Sequence, residues 1–156
     1  MKAQSILVPV DYTDVSHDAL KFAVDLAHDM HSQITVLHIE PKSYIVTGYA
    51  GSFGPPAGQA REPDEMLREL QLTVSSDLDG EIPYDLQVAI GEPTERILEF
   101  AQSHDTDLII MGTHGRTGLS RLFMGSVAES VMRQAPCPVF IVKHDMEHAE
   151  AKPDAN

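Results

Sequence analysis

The sequence predicts an α/β protein: one doubly wound domain in which a five-stranded parallel sheet carries helices on both faces. Three observations predict this class. Short apolar runs rich in β-branched residues alternate along the chain with segments whose apolar residues recur every three to four positions. The 156 residues are enough for one domain with a sizeable core. Strands that alternate with helices pair in parallel through right-handed crossovers. We expect the strand order 3-2-1-4-5.

The first third of the chain contains two predicted strands with a helix between them. Residues 5–10, SILVPV, predict a buried strand that ends at DYTD. Apolar residues at spacings of three and four predict a helix from Ser16 to Met30, with Ser16 as its N-cap. Residues 33–39, QITVLHI, predict the second strand. The stretch 41–62 holds four glycines and three prolines without a period. It predicts a loop, either a lid over a ligand or a disordered segment.

The second half of the chain continues the alternation. The predicted elements are a helix over 65–78, a strand over 85–90, a helix with Pro93 as its first residue, a strand over 107–111, a helix ending near 134 and a strand over 138–143. The polar, aperiodic residues 144–156 predict a flexible acidic tail. The predicted domain therefore covers residues 1–143.

Charge and composition exclude several classes of protein. The net charge of −13 argues against a nucleic-acid binder, so any attraction to an anionic ligand must be local. No apolar run approaches the roughly 20 residues of a membrane helix, and the first ten residues lack the features of a signal peptide. We therefore expect a cytoplasmic protein without membrane insertion. The single cysteine, Cys137, lies between two prolines and is interpreted as a packed thiol rather than a reactive one.

The stretch MGTHGRTGLSRLFMGS, residues 111–126, follows the fourth predicted strand. Ligands of open parallel sheets bind beyond the carboxyl ends of the strands, where the strand order reverses. With the expected order, this point lies between the first and fourth strands, so Asp11 and Gly112 face each other there. Glycines adopt positive φ, let a ligand approach the backbone, and form anion-binding nests of N–H groups. Gly125 and Ser126 begin the last helix, whose N-terminus favours phosphate, with Ser126 as its cap. The stretch predicts a phosphate-binding cradle.

Other interpretations of the same residues stay open. Glycine-rich turns after strands are common, and neither G-x-x-x-x-G-K-[ST] nor G-x-G-x-x-G occurs in this chain. His114 and Arg116 could contact phosphate or face solvent, whereas Arg121 better suits a surface salt bridge. Asp11 could contact a nucleoside or simply form an Asx turn.

The glycine spacing matches the pattern G-x2-G-x9-G-[ST] through Gly112, Gly115, Gly125 and Ser126. Together with VPVD at residues 8–11, LHI at 37–39 and APCPVFIVK at 135–143, this pattern resembles the universal stress protein family, in its ATP-binding branch. The resemblance covers about residues 4–143.

The resemblance implies ATP as ligand, with Mg²⁺ or Mn²⁺ bridging the phosphates and held mainly by phosphate oxygens and water rather than by protein ligands. It also implies a homodimer along the fifth strand, Pro138 to Lys143, and leaves a higher oligomer open. Pro9, Val10 and Asp11 would line the adenosine end, and Ile39 would hold the adenine through its backbone. The residues expected around the ribose and phosphates are Met111, Gly112, Thr113, His114, Gly115, Arg116, Gly125, Ser126 and Val127.

Three functions are compatible with these residues. The first is an ATP-binding regulatory protein of the stress response whose occupancy tunes dimer or partner interactions. The second is a slow ATPase or a phosphoryl-transfer enzyme, possible because the cradle and a metal ion would neutralise charge. The third is an interaction protein without nucleotide. Because no base is positioned near the expected γ-phosphate, we favour binding over turnover and assign no catalytic residue. The regulated partner is unknown.

Overall fold

The structure, a computed structural model, describes residues 3–42, 61–78, 82–113 and 124–143. Strands and helices alternate throughout these residues. The strands are β1 (Ser5–Val10), β2 (Gln33–Glu40), β3 (Tyr84–Ile90), β4 (Leu108–Gly112) and β5 (Val139–Val142). The helices are α1 (Asp14–Met30), α2 (Pro63–Val74), α3 (Pro93–Ser103) and α4 (Ser126–Gln134).

The five strands form a parallel sheet in the order β3-β2-β1-β4-β5, which confirms the predicted order. Val10 of β1 is paired with His38 of β2, and Leu7 of β1 is paired with Ile109 of β4. The chain therefore leaves β1 in one direction across the sheet and later returns to β4 on its other side. This reversal places the ends of β1 and β4 side by side.

Each face of the sheet buries its own set of apolar residues. On one face, Ile6 and Val8 pack with Leu20 of α1 and Leu70 of α2. On the other face, the core contains Leu7, Leu37, Ile39, Ile109 and Met111 of the strands, with Ile97 and Ala101 of α3 and Ala128 and Val131 of α4. The predicted doubly wound arrangement is confirmed. The central strands are apolar on both faces because helices cover both of them.

The start of α1 differs from the prediction. Ser16 was expected as the N-cap, but the N-cap is Thr13, whose side-chain oxygen accepts a hydrogen bond from the Ser16 N–H at 3.3 Å. Ser16 lies in the first turn, where its hydroxyl donates to the Thr13 carbonyl at 2.9 Å. Both residues carry a hydroxyl, so composition alone could not choose between them.

The second helix also differs from its predicted bounds, whereas the third begins as expected. Helix α2 starts two residues before Glu65 and ends at Val74, and residues 75–78 form turns. Helix α3 begins at Pro93, with the Glu92 side chain accepting from the Glu95 N–H at 2.8 Å. The loop predicted over 41–62 lies mostly outside the described residues, as does the predicted tail. Among the helices described, none is both long enough and apolar enough to cross a membrane.

Strand β5 lies at one edge of the sheet. Its Phe140 is 50% exposed and stacks on Phe22 of α1, with ring centroids 5.2 Å apart. The strand is apolar throughout, with the sequence VFIV. An apolar edge strand that is uncovered presents backbone groups and side chains to a second chain.

Candidate functional site

The turn after β1 is held by the side chain of Asp11. Its Oδ1 accepts from the Thr13 N–H at 3.1 Å and from the Thr13 hydroxyl at 2.5 Å, and this is an Asx turn. The Asp11 N–H donates to the Ser16 hydroxyl at 3.4 Å. The turn-forming role considered for Asp11 is therefore observed. The nucleoside contact considered for Asp11 stays a prediction.

Tyr12 is the next residue of this turn, and its backbone is left-handed, with φ of 67°. Its ring stacks on the His38 ring, with centroids 4.2 Å apart and planes 20° apart. The His38 Nδ1–H donates to the Val10 carbonyl at 2.9 Å. Residues on both sides of Asp11 therefore contact the same imidazole.

The end of β4 lies against the first turn of α1. A Cβ atom added to Gly112 would come within 2.4 Å of Val15 Cγ1 and 3.1 Å of the Val15 backbone. Position 112 therefore has room only for glycine, because α1 packs directly on it. Since α1 follows the Asp11 turn, the structure brings Gly112 and this turn to the same edge of the sheet, as the strand order predicts.

The two ends of the glycine-rich stretch meet next to β5. The Gly125 N–H donates to the Thr113 carbonyl at 2.6 Å, and the Thr113 N–H donates to the Val142 carbonyl at 3.0 Å. The residues between these ends include His114, Gly115, Arg116 and Arg121, which lie outside the described residues. Their expected phosphate contacts stay predictions.

The start of α4 corrects two expectations. Gly125 is the N-cap, and Ser126 is the first helical residue, so Ser126 does not cap this helix. Gly125 has φ of −63°, and Gly112 is not among the described glycines with positive φ. Positive φ therefore does not explain either residue. The first N–H groups of any helix lack intrahelical acceptors, and here they lie beside the Gly125–Thr113 closure.

Buried apolar residues lie at the carboxyl ends of the strands, below the candidate site. Pro9, Val10, Ile39 and Met111 are buried, as is Thr113, whereas Ser126 is exposed and Val127 is half-buried. Ile39 and Met111 belong to the core on the α3 and α4 side. The predicted residues that the structure describes thus lie at the carboxyl ends of β1, β2 and β4 and at the start of α4.

In the part of the chain that the structure describes, Arg61 forms ion pairs with two glutamates near this edge. Glu40, at the end of β2, lies 3.6 Å from Arg61 Nη1, and Arg61 also pairs with Glu69. Partial burial alone would lower the pKa of Arg61, but the hydrogen bond and charge of Glu69, with the charges of Glu40 and Glu65, raise it above its ordinary value. Arg61 therefore carries its charge at all working pH values. No group of three or more His, Cys, Asp or Glu residues suited to a metal ion occurs in the described ranges.

The buried pair His38 and Glu40 was missed from the sequence. His38 is 1% exposed and Glu40 is 7% exposed. Their signal was a histidine and a glutamate two positions apart in an otherwise apolar strand, LHIE. Two polar residues on one face of a strand that helices cover require partners, and those partners come from distant parts of the chain.

Comparison with known proteins agrees with this architecture. The fold defines a doubly wound α/β protein with an open parallel sheet. A hydrogen bond joins the two ends of its glycine-rich segment, and a candidate ligand site lies where the strand order reverses. A protein-family model described as the universal stress protein family matches residues 2–143. A universal stress protein of Methanocaldococcus jannaschii is 34% identical over 146 residues, covering 90% of this chain and 82% of its own length. The chain belongs to the universal stress protein family.

Three solved structures share the fold. A protein described as a test case for structure-based assignment of biochemical function has a TM-score of 0.74 at 23% identity, covering 94% of this chain and 99% of its own. A universal stress protein of Archaeoglobus fulgidus in complex with dAMP has a TM-score of 0.64 at 24% identity, covering 92% and 100%. A universal stress protein in complex with cAMP has a TM-score of 0.62 at 21% identity, covering 92% and 97%.

Proposed function

We propose that this protein is an ATP-binding regulatory protein of the stress response, in which residues 1–143 bind the nucleotide. The single observation that carries the proposal is the closure of the glycine-rich segment by the Gly125–Thr113 hydrogen bond, beside the Asp11 turn. This arrangement lies where open parallel sheets bind ligands. Two related structures hold adenine nucleotides, dAMP and cAMP.

The proposed roles are those that the family resemblance implies. Asp11 would contact the adenosine end, and Ile39 would hold the adenine through its backbone. The N–H groups at the start of α4, with Gly125 and Ser126, would receive phosphate oxygens. A helix N-terminus supplies local positive potential, which a chain of net charge −13 needs in order to attract an anion. Mg²⁺ or Mn²⁺ would bridge the phosphates.

A homodimer through β5 completes the proposal. The Thr113 N–H bond to Val142 joins the proposed phosphate site to this edge strand, so nucleotide occupancy has a direct route to the dimer surface. We propose that occupancy tunes dimer or partner interactions through this connection, and that the protein acts in the cytoplasm.

The test is to identify nucleotide carried through purification. The protein is denatured, released nucleotide is identified by chromatography, and the stripped protein is titrated with ATP with and without magnesium. We expect stoichiometric ATP. Gly115→Val and Gly125→Val should weaken binding by more than about tenfold, because a bulky side chain fills the space a phosphate would take. Gln102→Val, at an exposed position of α3, is the control and should bind as the wild type.

Other outcomes favour the alternatives. Stoichiometric ADP or AMP would favour a slow ATPase or phosphoryl transfer. The absence of both bound nucleotide and titratable binding would contradict the proposal and leave an interaction protein. Gly112 is not used as a test position, since any side chain there meets Val15 and would disturb the fold.

A further inference from the structure

Strand β2 places two polar side chains in the core on the face covered by α1 and α2. His38 and Glu40 are two residues apart and therefore share a face of the strand. Both are nearly completely buried. Burying such groups is costly unless hydrogen bonds and ion pairs compensate, so their contacts indicate what they do.

The contacts of His38 are with the turn that carries Asp11. Its Nδ1–H donates a hydrogen bond to the Val10 carbonyl at 2.9 Å, and its ring stacks on the Tyr12 ring with the centroids 4.2 Å apart. Asp11 lies between these two residues in the chain. The imidazole therefore holds both ends of the segment that presents the Asp11 carboxylate.

Glu40 and Arg61 hold the imidazole from its other side. Glu40 Oε2 lies 3.4 Å from His38 Nε2 and 3.6 Å from Arg61 Nη1, and Arg61 pairs with Glu69 of α2 through its Nη2. Contacts at both ring nitrogens, with the Val10 carbonyl and with the Glu40 carboxylate, fix the orientation of the ring. The series of contacts runs from α2 through β2 to the β1 turn.

This turn needs such support because its backbone is unfavourable. Tyr12 has φ of 67°, a region that bulky non-glycine residues rarely occupy. Residues held there persist when their surroundings over-determine them, often at functional sites. The stacking of Tyr12 on a buried, oriented imidazole supplies that constraint.

From these contacts we infer that His38 is a positioning residue of the nucleotide site, with Glu40 orienting its ring. It holds Val10 and Tyr12 so that Asp11 is presented to the nucleoside. The nucleoside part rests on the proposed function, whereas the positioning of the turn can be measured without any nucleotide.

Two His38 variants and one control test the inference. His38→Leu removes both polar contacts, and His38→Asn keeps a donor near the Nδ1 position. Ser32→Ala is the matched control, because the buried Ser32 hydroxyl also donates to a carbonyl, that of Ala3, at the opposite end of the same pair of strands. Tyr12→Gly serves as a second test, since glycine adopts φ of 67° without strain while the stacked ring is lost.

Two measurements are made on the full chain. Without nucleotide, amide hydrogen exchange at Thr13, whose N–H donates to Asp11, should rise about tenfold in His38→Leu and in Tyr12→Gly. It should rise less in His38→Asn and stay at the wild-type rate in Ser32→Ala. In ATP titrations, His38→Leu and Tyr12→Gly should bind about tenfold more weakly, and His38→Asn should recover most of the affinity.

Distinct results would overturn each part. Wild-type exchange at Thr13 in Tyr12→Gly, or an equal rise in Ser32→Ala, would refute the positioning role and show a general loss of stability instead. Increased exchange with unchanged ATP affinity would refute the link between the turn and the nucleotide. A wild-type protein that binds no ATP would refute the proposed function, while the exchange data still decide whether His38 holds the turn.

Discussion

Gly112 shows how one residue can be predicted at the right place for an incomplete reason. The sequence suggested that the glycines of the 111–126 stretch serve ligand approach and positive φ. In the structure, Gly112 is required by the packing of Val15, and Gly125 has an ordinary φ of −63°. The position of a glycine in a motif is visible in the sequence, but the atom it must avoid comes from another element.

This difference predicts that alanine at position 112 destabilises the protein more than alanine at position 125. Gly112→Ala should lower the free energy of unfolding by about 1–3 kcal/mol, because the new Cβ overlaps Val15. Gly125→Ala should lower it by less than about 1 kcal/mol, since alanine adopts that backbone conformation and only the N-cap preference is lost. Urea denaturation measures both. Equal losses would contradict the packing role of Gly112.

Cys137 is half-buried, as the interpretation of a packed thiol predicts. Burial, followed by the charge of Asp107, raises the pKa of its thiol, although a hydrogen bond from the Ile109 backbone opposes this. Because the folded pKa lies above the unfolded one, the stability from the protonated thiol is fully present below about pH 8.5. It is lost as the pH rises through the raised value.

The rate of Cys137 alkylation against pH should therefore have a midpoint above that of a free thiol. Asp107→Asn should lower the midpoint, because it removes the repelling charge while an amide oxygen can still accept from the Gln4 and Ser5 N–H groups. An unchanged midpoint in this variant would show that the charge of Asp107 has no effect on the thiol.

At the scale of elements, the sequence predicted which segments are strands and which are helices, but it did not predict where every helix begins and ends. The apolar pattern correctly predicted the five strands and four helices named above, since each of them buries one or two faces. Thr13 replaced Ser16 as the α1 cap because Asp11 binds both the Thr13 N–H and its hydroxyl, which fixes where the turn ends. Such a choice depends on local hydrogen bonds that periodicity does not contain.

The cap of α1 gives a direct test. Thr13→Ala should lower the free energy of unfolding by about 1 kcal/mol, because the Ser16 N–H loses its acceptor and Asp11 loses one donor. Thr13→Ser should retain most of the stability, since it keeps the hydroxyl. Denaturation midpoints of the three proteins measure the effect. A serine variant as unstable as the alanine variant would assign the loss to the methyl group instead.

At the scale of the whole molecule, the alternation of strands and helices predicted a parallel sheet with helices on both faces. The expected strand order 3-2-1-4-5 is confirmed, and it correctly placed Asp11 and Gly112 at one edge. The surface of β5 could be predicted only in part. Its apolar sequence suggested an exposed edge. The stacking of Phe140 on Phe22 could not be predicted, because these residues are 118 positions apart in the chain. Contacts of that kind require the packed molecule.

The proposed dimer predicts that charged substitutions at two exposed apolar positions have different effects on assembly. Phe140→Glu should dissociate the dimer, because it places a charge at the centre of the β5 edge. Leu72→Glu should leave it intact, although Leu72 is 80% exposed, because it lies on α2 away from that edge. Sedimentation velocity at several concentrations measures both. A wild-type protein that is monomeric throughout would contradict the proposed assembly.

Thr113 connects the glycine-rich segment to the edge strand through its main chain, since its carbonyl accepts from Gly125 and its N–H donates to Val142. Both of these bonds use backbone groups rather than the side chain. Nineteen of the twenty amino acids retain both groups, and proline alone lacks the N–H. A substitution at this buried position that preserves the packing around it should therefore keep the link between the two surfaces.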